Sequence, residues 1–566
     1  MKARILLTSP AIETGVPLFS QLFPMPLGLA SLGGFLKENG YNHIEGKDFI
    51  VPNTRHLISP PPSFKGKRTL FNHYGMSDEY VDHWCADNLD RFDVIAVSSM
   101  QINTAEDGAC KLVKTIKNYT DAPVVVGGYS ATTNPDWFFD NSGADYIIRG
   151  EGEQPFLKFL QILEAGDFPE RRGVFNKIFD QIEDLDDLPF PAWELFPLEI
   201  YPKYKTFQRI VLTTSRGCPF DCRFCSVKLI MGNDHCSPTS PKWRRHSAEY
   251  TVKLIEHLYK RFEARYLCIL DDNFLADTAR ATKILEGIEN LHLKGAHFYI
   301  EEGIMVRQAF KNPELITKLA QLKFDNIALA VESLTEQTIQ YIQKPETKEE
   351  IFSVTKNLKQ QGIEPKIFYI LGFKTDTLDS MLDNIMELAT FKLQIRINNL
   401  HILPNTEIWN EYVTEKIIDP KTWDFRLSSF FTPPTKNFSF DDIMELRKIL
   451  SGVNYGTENG VDVFHDSFRE IRENLKDIDF HFGDRISVAP KSMYQRALSP
   501  LKRFLTILAL RKGYSQISFR INGNRLDMVE AGKKTSNVEN KLRDKFMTTK
   551  PTLLTFFSEE EETICD

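Results

Sequence analysis

Short apolar runs alternate with amphipathic segments through the first 165 residues. ARILLTSP, DVIAVSSM and APVVVGGYS are mostly apolar, which is typical of strands covered on both faces of a sheet. LGLASLGGFLKENGY and CKLVKTIKNY have the spacing of amphipathic helices. Strand–helix–strand repetition predicts a parallel, doubly wound α/β domain over residues 1–165. Ligands of such sheets bind beyond the carboxyl ends of the strands.

A second alternating series runs from residue 206 to residue 420. Its strand-like runs are RIVLTTS, YLCILDDN, HFYIEE, IALAVES, KIFYILGF and IRINNLHILP. Helical segments such as AEYTVKLIEHLYKRF and TKEEIFSVTKNLKQQG lie between them. The pattern predicts a partial (β/α)6 barrel, whose functional residues should lie at the carboxyl ends of the strands.

The segments on either side of this series show no sustained period. Residues 166–205 contain the acidic, then proline-rich run DQIEDLDDLPFPAWELFP and are interpreted as a linker. Residues 421–566 are predicted to form a mostly helical C-terminal region that selects the substrate. Its run SPLKRFLTILALRKGY predicts a helix packed on the barrel, with a membrane-surface helix and a lipid substrate as the alternative.

The composition is that of a globular protein and narrows the functional classes. The 566 residues are 42% hydrophobic and 26% charged, with a formal net charge of −8. An acidic balance argues against nucleic-acid binding, which needs a basic face. No apolar run reaches the ~18 residues of a membrane span, and the N-terminus lacks the apolar core of a signal peptide. We expect a cytoplasmic monomer.

Three of the eight cysteines lie within eight positions. Cys218, Cys222 and Cys225 occur in RGCPFDCRFC with the spacing C-x3-C-x2-C, directly after the predicted strand RIVLTTS. Thiolates hold iron–sulfur clusters, and three of them leave one iron of a four-iron cube open. A structural zinc site needs four ligands, and Cys236 or His235 could supply the fourth. Three buried, inert cysteines are the remaining alternative.

This motif at the start of a predicted α/β barrel resembles the radical SAM superfamily. The resemblance implies a [4Fe–4S] cluster on the three cysteines, with S-adenosylmethionine (SAM) bound to its open iron and cleaved to a 5′-deoxyadenosyl radical. The positions that correspond to the family's SAM contacts are Phe224, Asp271, Asp272, Asn273, Glu302, Glu332, Gly372 and Leu403. Alternatively, Asp272 or Asn273 could cap a helix, and Glu302 and Glu332 could be surface carboxylates.

The first 165 residues resemble the cobalamin-binding domain of the cobalamin-dependent radical SAM enzymes. The order and spacing of PMPLGLASLGGFLKENGY, DVIAVSSM, VVVGGYSATTNPDWF and DYIIRGEGEQPFLKFL carry the resemblance. The implied cobalamin-binding residues are Thr8, Ser9, Pro10, Ser98, Ser99, Met100, Gly127, Gly128, Tyr129, Gly150, Glu151 and Gly152.

The sequence lacks D-x-H-x-x-G, the motif whose histidine ligates cobalt in many cobalamin proteins. DFHFG at 479–483 comes closest, but its glycine is one position early and it lies in the C-terminal region. The resemblance therefore implies a lower axial position without histidine. A nucleotide site would need G-x-G-x-x-G after the first strand, which is absent. A domain that only packs on the barrel is the other alternative.

The resemblance implies a cobalamin-dependent radical SAM methyltransferase. It would transfer a methyl group from methylcobalamin to an unactivated carbon of a small-molecule or natural-product substrate. Relatives that carry out oxidative cyclisation or rearrangement give one alternative, and a non-catalytic cobalamin and iron–sulfur sensor gives another. The family also implies a flavodoxin- or ferredoxin-type electron donor. Trp243-Arg244-Arg245, after the cysteine loop, could contact substrate or phosphate or be a solvated loop.

Overall fold

The chain packs as two compact units. One combines residues 1–330, 340–364 and 401–431, and the other combines 331–339, 365–400 and 432–566. The computed structural model describes residues 2–14, 25–51, 55–58, 71–100, 105–167, 173–175, 181–201, 203–204, 207–231, 243–390, 394–421, 432–439, 442–443, 446, 480–482, 517–522 and 525–530. Three predictions lie outside these residues: those on His235 and Cys236, and the helix predicted from SPLKRFLTILALRKGY.

The first part of the chain alternates strands and helices as predicted. Its elements are β1 (Ile5–Ser9), β2 (Ile12–Thr14), α1 (Leu27–Glu38), β3 (Ile44–Asp48), β4 (Arg55–Ile58), β5 (Phe71–Tyr74), α2 (Asp78–Asn88), β6 (Val94–Ser99), α3 (Ala105–Lys117), β7 (Val124–Gly128), α4 (Tyr129–Thr133), α5 (Pro135–Ser142), β8 (Tyr146–Ile147), α6 (Glu153–Glu164) and β9 (Gly173–Val174).

These strands form a parallel sheet in the order β3-β1-β6-β7-β8-β9, which confirms the predicted doubly wound architecture. The order reverses between β1 and β6, so the ligand crevice of such a sheet is expected beside their carboxyl ends. The buried core includes Ile5, Val94 and Val124. A second, antiparallel sheet, β2-β5-β4, was not predicted.

Much of the predicted linker packs against this sheet. Residues 185–187, 193–195 and 198–200 form short 3-10 turns, and Trp193 is fully buried. The Ala192 N–H donates a hydrogen bond to the Ala30 carbonyl in α1 at 2.8 Å. A Cβ on Gly34 would lie 2.5 Å from the Phe190 carbonyl oxygen, so only glycine permits this approach.

The second alternating series also forms as predicted, with a strand in each of the six runs. Its elements are β10 (Lys203–Tyr204), β11 (Phe207–Leu212), β12 (Ser215–Gly217), α7 (Val227–Ile230), β13 (Trp243–Arg245), α8 (Ala248–Arg261), β14 (Tyr266–Ile269), α9 (Thr278–Asn290), β15 (His297–Ile304), α10 (Val306–Lys311), α11 (Pro313–Gln321), β16 (Phe324–Glu332), α12 (Glu336–Tyr341), α13 (Lys348–Gln360), β17 (Glu364–Leu371), α14 (Leu378–Thr390), β18 (Gln394–Asn399) and α15 (Glu407–Thr414).

In the first unit, β11, β14, β15 and β16 are adjacent and parallel, with β10 antiparallel on the outer edge. The strands β12 and β13 form a separate antiparallel ribbon. In the second unit, β17 and β18 pair in parallel. None of the helices among the described residues is long and apolar enough to cross a membrane.

The described residues of the C-terminal region contain strands, which the prediction of a mostly helical region did not include. They are β19 (Phe480–Phe482), β20 (Ile517–Asn522) and β21 (Arg525–Glu530), in the order β19-β21-β20. Asp442, Ile443 and Leu446, within the region predicted to be mostly helical, are helical. ISFRIN alternates apolar and polar residues, as a half-buried strand does, so this strand could have been predicted. RLDMVE places Met528 and Val529 side by side, which breaks the alternation.

Candidate functional site

The three cysteines lie in the loop between β12 and α7. The Cys225 N–H donates to the Cys222 carbonyl at 3.0 Å, which turns the loop back on itself. Cys222 is buried, whereas Cys218 and Cys225 are partly accessible. Burial raises the pKa of Cys218 to about 11 and that of Cys225 to about 12, so both hold their protons until a metal displaces them.

Ion pairs on the intervening residues hold this loop in place. Arg223 lies 3.3 Å from Glu407 and 3.1 Å from Glu411 of α15, and its guanidinium stacks on the Tyr341 ring. Lys228 lies 2.5 Å from Glu407. Residues between and after the cysteines therefore fix the loop through contacts that do not use the thiols.

The two carboxylates that follow β14 have different environments. Asp271 is fully buried and accepts hydrogen bonds from Thr214 N–H and Oγ1, both at 2.5 Å, and from Ser215 Oγ at 2.7 Å. Its carboxyl therefore holds the end of β11. The Asp272 carboxyl is reached by solvent within a recess, where desolvation and the charges of Asp271 and Glu302 raise its pKa to about 7.

Electrostatic interactions indicate that Asp272 lies near the cysteine thiols. Its carboxylate contributes to the raised pKa of Cys218 and of Cys225. Glu302 contributes to the raised pKa of Asp272 and is accessible. Once the thiols and Asp272 have lost their protons, this edge is strongly negative and suits a cationic ligand such as iron, ammonium or sulfonium.

The remaining predicted SAM contacts in the first unit are more enclosed. Asn273 is buried, and its Nδ2 has no hydrogen-bond partner. Phe224 is half-buried beside the third cysteine. Leu403 is buried in the loop after β18, where its carbonyl accepts the Thr406 hydroxyl at 2.8 Å. The helix-capping alternative does not apply to α9, because Asp277 caps it.

Two predicted contacts belong to the second unit. Glu332 is buried with a φ of 62°, a strained conformation for a non-glycine residue that is common at functional sites. The Gly372 N–H donates to Asp376 at 3.2 Å. Asp376 is buried and also accepts the Thr338 hydroxyl at 2.7 Å. Burial raises its pKa to about 6. Sequence patterns did not single out Asp376.

The cysteine loop fits an iron–sulfur cluster better than a single ion. Among the described residues, no three His, Cys, Asp or Glu side chains converge closely enough to hold one metal ion, as a closed zinc site requires. The three thiols nevertheless lie within electrostatic range of one another. A four-iron cluster binds each thiolate at a different iron, so it accommodates this wider arrangement.

A largely apolar cavity of about 360 Å³ opens at the carboxyl edge of the first sheet. Of the predicted cobalamin contacts, seven line it. The cavity also takes residues from α1, the predicted linker and α8. The seven lining residues are Ser98, Gly127, Gly128, Tyr129, Gly150, Glu151 and Gly152.

The other five predicted cobalamin contacts do not line this cavity. The Ser9 hydroxyl donates to Asp48 at 2.7 Å, and the Ser99 hydroxyl donates to the Gly127 carbonyl at 3.1 Å. Pro10 is buried and Met100 is exposed. Thr8 is fully buried with an unpartnered hydroxyl.

The glycine edge fits a bulky cofactor that approaches the backbone. Gly128 has a φ of 98°, and a Cβ there would lie 2.5 Å from the Ser99 carbonyl oxygen. A side chain at this position would displace the Ser99 backbone, whereas glycine leaves the backbone at this edge accessible to a ligand. The buried, unpartnered Ser130 hydroxyl lies two residues beyond. Ser98, Gly127 and Gly150 would hold cobalamin here.

One histidine, His246, lies among the described residues that line the cavity. Its Nδ1 is 3.3 Å from Asp186 Oδ1, and its ring stacks on Tyr250 at 4.0 Å between centroids. Burial and the charge of Arg216 lower its pKa to about 4, so the ring is neutral at physiological pH. A lower axial position without histidine stays a prediction.

Tyr129 connects the two sites. It follows the glycine edge, lines the cavity, and shares a short hydrogen bond with the hydroxyl of Ser226, the residue after Cys225. Burial and the neighbouring Cys225 raise its pKa, so the phenol stays protonated. The cavity and the cysteine loop are therefore adjacent.

An arginine–glutamate cluster joins the same two regions. It consists of Glu151, Glu153, Arg216 and Arg244, and the sequence patterns did not predict it. Arg216 bridges Glu151 and Glu153, and Arg244 binds Glu151. Burial alone would raise the pKa of Glu153, but the charge and hydrogen bonds of Arg216 lower it. Arg244 is thus buried and ion-paired, whereas the solvated alternative fits Arg245, whose side chain is 47% exposed.

Comparison with family models identifies two domains. The radical SAM superfamily model matches residues 212–389, which include the cysteine loop and β14 to β17. The B12 binding domain model matches residues 82–160, which include the glycine edge and the loop at 150–153. Each model therefore covers the site that the geometry describes.

Known proteins resemble the chain over most of its length. An uncharacterized methyltransferase of Pyrococcus horikoshii is 24% identical over 67% of this chain and 80% of its own. An anaerobic magnesium-protoporphyrin IX monomethyl ester cyclase of Synechocystis is 22% identical over 85% of this chain and 94% of its own. The solved structure of the cobalamin-dependent SAM radical enzyme OxsB, bound to aqua-cobalamin and SAM, matches with a TM-score of 0.59 and 15% identity, over 91% of this chain and 72% of its own.

Proposed function

Since this chain belongs to the radical SAM enzymes that carry a B12-binding domain, we propose that it is a cobalamin-dependent methyltransferase acting on an unactivated carbon of a small molecule. One observation carries the proposal most directly. Tyr129 lines the cavity of the B12-binding domain and hydrogen-bonds to Ser226, next to Cys225. Transfer between two cofactors requires such adjacency, because the reacting atoms must be held close together.

The cysteine loop and its surroundings would hold the radical-generating half. Cys218, Cys222 and Cys225 would ligate three irons of the cluster, and Asp272 and Glu302 would attract the positive charge of SAM. When bound, the cluster and SAM supply a 5′-deoxyadenosyl radical and cobalamin supplies a methyl group. The protein contributes binding, orientation and exclusion of water.

The largely apolar cavity would hold the methyl-carrying half. Gly127 and Gly128 leave backbone exposed where a large ring could rest, and the linker residues close the far side. Substrate would bind where the two halves meet. The C-terminal region would select a small-molecule or natural-product substrate, and a flavodoxin- or ferredoxin-type protein would supply the electron. We expect the enzyme to act as a cytoplasmic monomer.

Oxidative cyclisation is the second candidate. The alignment with the Synechocystis cyclase covers 85% of this chain, more than the alignment with the P. horikoshii methyltransferase, which covers 67%. Both outcomes use the same cluster and begin with the same hydrogen abstraction. They differ in whether the substrate radical gains a methyl group or loses a second electron.

Labelled SAM separates the two candidates. The reconstituted protein, loaded with hydroxocobalamin, would be incubated anaerobically with a reductant, methyl-labelled SAM and a panel of candidate substrates. Methyl transfer predicts a labelled product, with 5′-deoxyadenosine and S-adenosylhomocysteine formed in equal amounts. An unlabelled product with 5′-deoxyadenosine alone would support cyclisation and contradict the methyltransferase proposal.

A further inference from the structure

The arginine–glutamate cluster stands out because its charges are buried. The side chains of Glu151, Glu153 and Arg244 are 6%, 5% and 6% exposed, and that of Arg216 is 18% exposed. Several other ion pairs within the first 165 residues are open to solvent on both sides. In the pair Arg4–Asp93 the side chains are 48% and 42% exposed.

Arg216 makes the central contacts of the cluster. Its Nη2 lies 2.7 Å from Glu153 Oε1, and its Nη1 lies 3.2 Å from Glu151 Oε2. Nη2 also donates to the Ser31 hydroxyl of α1 at 3.1 Å. Arg244 donates to both oxygens of Glu151 and to the Ile182 carbonyl. The Arg216 guanidinium therefore contacts the side chains of Ser31, Glu151 and Glu153 in the B12-binding domain.

The positions of these residues in the chain explain what the contacts connect. Arg216 and Arg244 are paired across the β12–β13 ribbon, and Arg216 is two residues before Cys218. Glu151 and Glu153 lie at the rim loop that lines the cavity and at the start of α6. The cluster thus joins the strand that leads into the cysteine loop to the loop that borders the predicted cobalamin site.

We propose that Arg216 is a positioning residue that sets the separation between the cysteine loop and the cobalamin cavity. The inference rests on the proposed function. A shift of the ribbon along the rim loop would leave buried charges unpaired, which is strongly unfavourable. Arginine also fixes the relative orientation of the paired groups, because its planar guanidinium binds carboxylates in a defined geometry. Glu151 accordingly acts through Arg216 and Arg244, and not as a cobalamin contact.

The test uses the full chain loaded with iron, sulfide and hydroxocobalamin. Pulsed EPR would measure the dipolar coupling between cob(II)alamin and the reduced cluster in wild type, Arg216→Gln and Arg216→Lys. The matched control is Arg4→Gln, which breaks an exposed ion pair of the same domain. Iron and cobalamin contents are measured for every variant.

We expect Arg216→Gln to retain both cofactors while its distance distribution broadens and shifts relative to wild type. Arg216→Lys should give an intermediate distribution, because it keeps the charge but not the planar guanidinium. Arg4→Gln should match wild type. An Arg216→Gln distribution that equals the wild-type distribution would overturn the inference.

Three further outcomes are also decisive. If Arg216→Gln fails to fold, Glu153→Gln, which keeps the side-chain shape, should broaden the distribution, and an unchanged distribution there overturns the inference. If Glu151→Gln loses cobalamin while its neighbours retain it, Glu151 is a cofactor contact and the inference is wrong. A wild-type protein with iron but without a cobalamin signal would instead refute the proposed function, and the inference with it.

Discussion

The carboxyl edges of the two parallel sheets in the first unit differ in the residues that they present to a ligand. The edge of the first sheet is built from glycines and small residues around a largely apolar cavity. The edge of the second sheet carries thiols and carboxylates, among them Cys218, Cys225 and Asp272. Both edges lie where parallel sheets place their ligands. We expect the first edge to bind its cofactor because side chains are absent there, and the second to bind because its ligands supply charge.

This contrast predicts how each edge fails. At the glycine edge, an added atom should be harmful, as at Gly128, where a Cβ would meet the Ser99 carbonyl. At the cysteine edge, a removed ligand or a lost charge should be harmful. Substitutions of both kinds can be compared in one protein.

The largest effect is expected at the cysteine edge. Cys222→Ala removes a predicted cluster ligand. Substituting a residue that only supports a ligand lowers metal affinity roughly 10–100-fold, and removing the ligand itself should lower it further. Iron content and 5′-deoxyadenosine formation should fall to background. Cys268→Ala is the control, because that buried thiol lies on β14 beside Glu301 and Arg209. Full iron content in Cys222→Ala would contradict the cluster assignment.

The next effect is expected at the glycine edge. Gly128→Ala should weaken cobalamin binding about tenfold, equivalent to about 1.4 kcal/mol, measured by equilibrium titration of the visible spectrum. Gly143→Ala provides the control, since Gly143 also has positive φ but a Cβ there would meet nothing within 4 Å. Equal affinities in the two variants would contradict a role for the contact with Ser99.

A pH dependence of similar size is expected at Asp272, whose pKa is raised to about 7. Its carboxylate is ionised at pH 8 and largely protonated at pH 6, so the Kd for SAM should rise about tenfold between pH 8 and pH 6. Asp272→Asn should bind weakly at both pH values. A pH-independent Kd in the cluster-loaded wild type would exclude this role for Asp272.

The same shift has an opposite consequence for stability. Asp272 holds its proton more tightly in the folded chain than in the unfolded chain, so the folded state binds more protons between pH 4 and pH 7. The free energy of unfolding of the cluster-free protein should therefore decrease as pH rises through this interval. Asp272→Asn should remove that contribution, as checked by denaturant titration at several pH values.

The smallest effect is expected where the two edges meet. Tyr129→Phe removes one neutral hydrogen bond to Ser226 and should cost about 1 kcal/mol, seen as a small decrease in the thermal midpoint. Tyr80→Phe is the control, because Tyr80 is 45% exposed. A large loss of cobalamin in Tyr129→Phe would show that the phenol contacts the cofactor directly.

The strands and the cysteine loop could be predicted because their patterns are local. Apolar runs of β1, β6 and β7, and the spacing of the three cysteines, are visible within a few residues. The roles of Asp271 and Asp272 could not be predicted, because both end the same strand. Only the packing of Thr214 and Ser215 shows that Asp271 supports β11 while Asp272 remains available.

Contacts between distant segments were also hidden. Arg216 and Glu153 are 63 positions apart, and neither residue lies in an unusual local pattern. The sheet β2-β5-β4 pairs Ile12 with Tyr74 across a long separation, and its strands are too short to show a period. Short sequence patterns thus predict the fold class and the cofactors, but they do not predict the contacts that connect the two sites.

The burial of Trp193 and the close approach at Gly34 bear on how the molecule could be divided. A fragment that stopped at residue 165 would leave the face of α1 and the floor of the cavity open to water, as an apolar surface prone to self-association. A protease that cut between 165 and 197 would open the same surface. An N-terminal fragment prepared for cobalamin-binding studies should therefore extend past Pro197.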